Sequence, residues 1–437
     1  MPDHASSEQP FEGVRVVEFG QFVAVPFAAQ LLAEGGAQVI KVEPVGGDPS
    51  RRLRPLASIE SADGRKPIAP ETRTFLSRNR GKRSLPLALR HPDAKPVIDA
   101  LLAWADVALM NFRPGLAEEL GLGASALLER FPRLVVGSVS AFGNRGPEAG
   151  NAAMDIVVQA RSGLMAANGR IVDGQPATGD PVSADYMCAM TLAFGVSAAL
   201  LRRERTGQGG HVDTSLLQAA MTLANNQVVR AEGEDGPVHR EVLDRLEALR
   251  AAGASYTAQA EIIPSVRARS MSQVYFRTYE TADAAIAVAC GSPSLRERFM
   301  RVIGLDDPGL GASPGLDLDR HYDAFKPRVE ARLRERASAR WVAELNEVGV
   351  PVSTVRFPLE LLDDPQTAAN NMFHTFRHPT VGDVTALSPP VNLDAEGFAP
   401  APPTGPLGSD TVAILRDLGL DSDQIDALVD AAVTRHC

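Results

Sequence analysis

The chain of 437 residues contains only three cysteines, Cys188, Cys290 and Cys437. Odd in number and far apart, they exclude a disulfide framework and a cysteine-based metal cluster, and a reducing cytoplasmic setting is expected. No stretch supplies the roughly 18 uninterrupted apolar residues of a membrane span, and the N-terminal MPDHASSEQP lacks the apolar core of a signal peptide. Positive charge is also short. Forty-four Lys and Arg stand against 54 Asp and Glu, a net charge of −10, so neither nucleic acid nor an anionic membrane is an expected partner.

Several chemical signatures are missing as well. The segment after the first apolar strand reads GQFVAVP and has no G-x-G-x-x-G, which removes the tight turn that a nicotinamide dinucleotide needs. No G-x-S-x-G follows a strand, so a serine hydrolase is not indicated. His374 and His378 have H-x-x-x-H spacing, but Thr375 stands where a zinc protease needs its glutamate and Pro379 follows at once. A solvated loop is expected there, and no metal site.

What is present is an ordinary globular balance, 44% hydrophobic and 22% charged, in a chain long enough for two or three compact units. Apolar runs at 14–19 and 37–42 flank a helical pattern at 26–34, which makes a βαβ unit. A second unit follows, with a helix over 93–104, an extended run over 107–111 and a buried strand over 134–140. This alternation predicts an α/β domain built on a parallel sheet. A long helix over 181–205 precedes a strand at 211–215. Residues 232–236 read as a charged linker, 240–252 as a polar helix, and 274–303 as a hairpin followed by a helix. The domains are expected at 1–229, 230–350 and 351–437, the last returning to the first.

Asp155 opens an apolar stretch, and a carboxylate entering such a segment needs a partner. Capping its own helix, read as 156–165, is one explanation; a carboxylate held at a helix N-terminus beside a cleft is the other. The basic run RNRGKR at 78–83 can grip phosphates or line a solvated loop. Arg113, in NFRPG just after a strand, stands where α/β folds place ligand contacts.

Taken in order, FEGVRVVEF (11–19), GAQVIKVEP (36–44) with GDP (47–49), NRGKRS (79–84) and NFRPG (111–115) with LGL (120–122) make a pattern. It continues through SAFGNRGP (140–147), Asp155 with QARSGLM (159–165), RERTGQGGHVD (203–213), GVP (349–351) and DPQ (364–366). The whole resembles the family III CoA-transferases, the group that includes formyl-CoA:oxalate transferase, carnitine CoA-transferase and the α-methylacyl-CoA racemases. The resemblance implies a Rossmann-like large domain formed by both chain ends, a smaller α+β domain, and a homodimer of interlinked chains. It implies that Asp155 is the catalytic aspartate. An ionised carboxylate can attack a thioester without a separate base, and CoA then passes to an acceptor acid through an aspartyl thioester. No permanently bound cofactor is implied, since the CoA thioester is itself a substrate, with a free carboxylic acid as acceptor.

For CoA, the resemblance places contacts on the turn after the first strand, at Val23, Ala24 and Pro26, and on Asn111 and Arg113 after the 107–111 strand. Arg78, Lys82 and Arg83 are candidates for its phosphates by charge. Amides near Gly143, Gly146 or Gly163 could hold an oxyanion, and Arg145 and Arg161 could pair with a second substrate carboxylate. Two departures from the pattern matter. The glycine run that closes over the intermediate in formyl-CoA transferase is absent between 258 and 293. No histidine lies between His91 and His211 to serve as the second base of a racemase. Acyl-CoA racemase or isomerase and a non-catalytic CoA-binding protein remain the alternatives.

Overall fold

The computed structural model describes residues 9–57, 71–264, 268, 270–311, 316–394 and 397–437. The first eight residues of the polar N-terminal segment, and part of the 258–293 segment searched for a glycine run, lie outside the described residues. The chain divides into two compact units, one of residues 1–236, 255–257 and 369–437, the other of 237–254 and 258–368.

The larger unit is built on six parallel strands, β1 (Arg15–Glu18), β2 (Gln38–Glu43), β3 (Lys82–Pro86), β4 (Val107–Met110), β5 (Val135–Ser140) and β6 (Gly210–Ser215). Their order is β3-β2-β1-β4-β5-β6. Strand residues alternate between two cores. Val16, Val39, Val107 and Val135 face α1 (Ala24–Glu34) and α4 (Ser183–Thr206), whereas Val17, Ile40, Ala108 and Val136 face α2 (Ala94–Trp104) and the C-terminal Ile414 and Leu415. A parallel sheet covered on both faces needs such continuous apolar strands. Helix α4 has the length and composition of a membrane span, yet Ala184, Cys188, Leu192, Val196 and Leu200 are buried against the sheet.

In the smaller unit, Phe276–Glu280 and Ala285–Ala289 form the expected hairpin, and Val352–Thr354 adds a third antiparallel strand. The chain therefore re-enters the larger unit at 369, beyond the expected boundary at 351. Trp341 is fully buried there, its indole N–H donating to Leu333 O at 2.8 Å.

Three local expectations are corrected. The segment 232–236 is part of one helix, Glu232–Ala251, rather than a linker. The helix after Asp155 ends at Arg161, because Gly163 takes a left-handed φ of +81° before a further turn begins at Leu164. His378 is fully buried, not in a solvated loop, since Phe373–His378 pairs with Gly382–Leu387 as a hairpin. Burial lowers its proton affinity below the usual histidine range.

Candidate active site

Strand order reverses between β1 and β4, and in open α/β sheets the crevice beyond the carboxyl ends at such a point is where ligands bind. Here the crevice is a cleft of about 1000 Å³ lined by Gln21–Ala24 from the turn after β1 and by Asn111, Phe112 and Arg113 after β4. The two loops are tied together. Gln21 N–H donates to Asn111 Oδ1 and Asn111 Nδ2 donates to Gln21 O, both at 2.9 Å.

The turn after β1 is tight enough to exclude a side chain at its first residue. A Cβ on Gly20 would sit 2.3 Å from Val25 Cγ1. Phe22 adopts a left-handed φ of +65°, which costs a non-glycine residue about 1–2 kcal/mol and persists only where the surroundings enforce it. The enforcing group is a buried ionic network below the turn. Lys41 Nζ donates to Gly20 O at 2.9 Å and pairs with Glu18 at 2.9 Å and Asp48 at 3.0 Å. Burial works against the charged form of Lys41, but Asp48, Glu18 and Glu43 outweigh it and hold its pKa above the usual range. Arg51, 3.5 Å above the Phe75 ring, bridges Glu43 at 2.9 Å and Glu71 at 2.8 Å. Removing one member of such a network leaves a buried charge uncompensated, at about 3–5 kcal/mol.

Asp155 is the first residue of α3 (Asp155–Arg161) and is 7% exposed. It does not cap its own helix. Its Oδ1 accepts the backbone N–H groups of Ala184 at 2.9 Å and Asp185 at 3.1 Å, in the first turn of α4, and its Oδ2 accepts Gln159 Nε2 at 2.5 Å. A helix start carries unsatisfied N–H groups and a partial positive charge, both suited to a carboxylate. The cleft reaches this point, since Ala153, Met154 and Asp185 belong to its lining. Burial first, and then the charge of Asp155, push the Asp185 carboxyl up to about 7. Two carboxyl groups thus share one helix N-terminus.

Of the residues expected to hold CoA, Val23, Ala24, Asn111 and Arg113 line the cleft. Pro26 is buried in the first turn of α1, and its carbonyl accepts Lys82 Nζ at 2.8 Å. Lys82 points into the core. Its ammonium is fully buried, 2.7 Å from Glu18 and 2.8 Å from Asn79 Oδ1, and burial lowers its pKa to about 8. Arg83 pairs with Asp417 at 2.7 Å beside a separate groove, while Arg78 donates Nε to Tyr186 OH at 3.0 Å. The basic run is therefore dispersed to three places. Gly143 N–H is spent on Ser140 Oγ at 3.1 Å, Arg161 on Glu148 at 3.0 Å, and Gly143, Gly146 and Gly163 all lie outside the cleft lining.

The structure adds groups that sequence reading did not single out. Asp185 is one, hidden among 54 acidic residues with only its place in the first turn of a predicted helix to mark it. His211 and Ser138 are others. They stand on neighbouring strands, Ser138 Oγ lies 2.7 Å from His211 Nε2, and both line the cleft. Among the described residues no group of three His, Cys, Asp or Glu side chains converges as a metal site.

Comparison with known proteins identifies the family. The chain is 30% identical over 374 residues to an acetyl-CoA:oxalate CoA-transferase of Acetobacter aceti, covering 84% of this chain and 86% of the other. It is 26% identical to a succinyl-CoA:glutarate CoA-transferase of Mus musculus, covering 98% and 91%. The crystal structure of Rv3272 from M. tuberculosis superposes with a TM-score of 0.72 at 27% identity, covering 94% of this chain and all of that one. The model of the family described as CoA-transferase family III matches residues 11–411. A parallel α/β sheet with a cleft at its switch point and a carboxylate pair at the cleft's end is thus carried by a chain that belongs to CoA-transferase family III.

Proposed function

We propose that the chain moves CoA from an acyl-CoA thioester to a free carboxylic acid, with Asp155 as the covalent carrier. One observation carries this reading. Asp155 is buried at the end of the cleft and fixed by three hydrogen-bond donors, so it is oriented as a nucleophile without another side chain acting as its base. Attack on the thioester carbonyl gives a mixed anhydride; attack of CoA on the aspartyl carbonyl then gives an aspartyl thioester that the acceptor acid opens. Val23, Ala24, Asn111 and Arg113 supply the CoA contacts, and the first-turn amides of α1, which no side chain caps, suit its phosphates.

The named relatives act with acetyl-CoA, succinyl-CoA, oxalate and glutarate, so short acids are the first substrates to offer. A self-associated state fits the exposed apolar side chains of α3 and α4, with Ile156 at 57%, Phe194 at 76% and Leu201 at 55% exposure. The test is mass spectrometry of wild type and Asp155→Asn with acetyl-CoA or succinyl-CoA and a panel of short acids in D₂O. Movement of CoA to a new acid and a CoA adduct on Asp155 are expected in wild type only. Deuterium at the α-carbon without CoA movement would instead favour an isomerase, with His211 as the base to examine. Binding without either change would leave a CoA-binding protein.

A further inference from the structure

The side chain of Asp185 has no role in the reading above, yet among the described residues Asp185 is the titratable residue that both lines the cleft and donates its backbone N–H to the Asp155 carboxylate, at 3.1 Å. Its carboxyl group makes no hydrogen bond and no ion pair with the described residues. A half-buried carboxyl group left without a partner, beside another carboxylate, is costly unless it holds a proton. The charged or titratable groups around it are Asp155 on α3, Arg78 in the segment before β3 and Cys188 one turn on in α4, with His211 on β6 lining the same cleft. Arg78 lowers the proton affinity of Asp185, while burial and Asp155 raise it and prevail at about 7.

We propose that Asp185 is the proton carrier of the transfer reaction, giving its proton to CoA as the thiolate leaves and recovering it when the thiol attacks. The inference rests on the reading of Asp155 as nucleophile.

The steps balance. In the first, an Asp155 oxygen bonds to the acyl carbon, the C–S bond breaks, its electron pair goes to sulfur, and the Asp185 O–H proton follows. Bound CoA is then a thiol and Asp185 a carboxylate. In the second, Asp185 takes the proton back as sulfur attacks the aspartyl carbonyl, and the donor acid departs as a carboxylate. The acceptor acid repeats the two steps in reverse order of partners, so the cycle closes with no net proton gained or lost. The coupling between the two groups favours this timing. Acylation neutralises Asp155 and thereby removes a repulsion that kept the proton on Asp185. Asp185 becomes a stronger acid when a base, the thiolate, appears beside it.

The experiment is the pH dependence of isotope exchange between acetyl-CoA or succinyl-CoA and the corresponding ¹³C-labelled acid, in wild type, Asp185→Asn and Asp185→Glu. In wild type the rate is expected to fall above about pH 7, approaching tenfold per unit. Asp185→Asn keeps the backbone N–H to Asp155 but cannot exchange a proton, and its rate at pH 6 should drop by about 10²–10⁴-fold and lose the bend. Asp185→Glu should retain a bend. Wild-type exchange with a bend that persists in Asp185→Asn, or an Asp185→Asn rate equal to wild type, overturns the inference and leaves the transferase reading standing. Should Asp185→Asn fail to fold, a wild-type profile that is flat between pH 6 and 8 overturns it equally. A wild type that exchanges none of these acids overturns the transferase reading, and this inference with it.

Discussion

Gln21 and Asn111 hold each other by a reciprocal pair of hydrogen bonds across the point where strand order reverses, 90 residues apart in the chain. The pair joins two loops that line the cleft, so its geometry helps set the width of the cleft there.

Asn111→Ala breaks both bonds and leaves the amide and carbonyl of Gln21 without their partners. A loss of about 1–3 kcal/mol in stability is expected. The KM for acyl-CoA should rise at least tenfold by the loss of pre-organisation. Chemical denaturation and calorimetric titration with CoA check the two effects separately.

Asp155 has a structural task beside the chemical one proposed for it, and substitution separates them. Asp155→Asn keeps an oxygen for the Ala184 and Asp185 amides, so the melting temperature should stay close to wild type while CoA transfer disappears. Asp155→Ala loses the cap as well, at about 0.5–2 kcal/mol. A stable Asp155→Asn protein that still forms a CoA adduct would place the nucleophile elsewhere.

Lys82 and Arg113 are both cations expected at CoA, but only Arg113 lines the cleft. Lys82→Met strands the Glu18 carboxylate with one cation fewer and should cost about 3–5 kcal/mol. Arg113→Ala should leave stability within about 0.5 kcal/mol, because its ion pair to Glu119 at 3.8 Å is exposed. Its effect should appear as weaker CoA binding with a changed salt dependence, since one screened attraction is removed.

The raised carboxyl of Asp185 also predicts a pH dependence of stability. Its folded value of about 7 lies above the unfolded 3.8, so between those limits the folded chain holds a proton that the unfolded chain does not. This contribution destabilises above about pH 7 and is relieved as pH falls. Glu71, pushed up to about 7 by burial, acts in the same sense. Asp48 and Glu43, whose pKa values are lowered despite burial, act oppositely below their unfolded values of 3.8 and 4.5. Melting temperature should therefore rise from pH 8 to 6 and fall in more acid solution. Asp185→Asn should be more stable than wild type at pH 8 and lose part of that rise, which differential scanning fluorimetry will show.

Much of this was legible in the residues. Continuous apolar strands at Val16–Val17, Val39–Ile40 and Val107–Leu109 announce a parallel sheet, and the ordered segments from Phe11 to Gln366 carry the family and Asp155 with it. The illegible part is long-range pairing. Nothing local tells that the carboxylate of Asp155 caps a helix 29 residues on, or that Lys82 turns inward to Glu18 while Arg83 turns out to Asp417. The hairpin at Phe373–His378 escaped notice because its polar alternation, ending at Pro379, imitates a loop. Asp185 reads as an ordinary first-turn acid until Asp155 is set beside it.

The larger unit draws its last core side chains from Ile414, Leu415, Ile425 and Val433, and Leu87 bridges to Thr434. During synthesis, the unit's 236 N-terminal residues and the whole smaller unit must therefore emerge before the segment that seals the core, as domains generally fold as units. The smaller unit, finished at 368, can fold while its host is still open. The larger unit thus closes last, and truncation near the C-terminus should produce insoluble protein rather than a weakened enzyme.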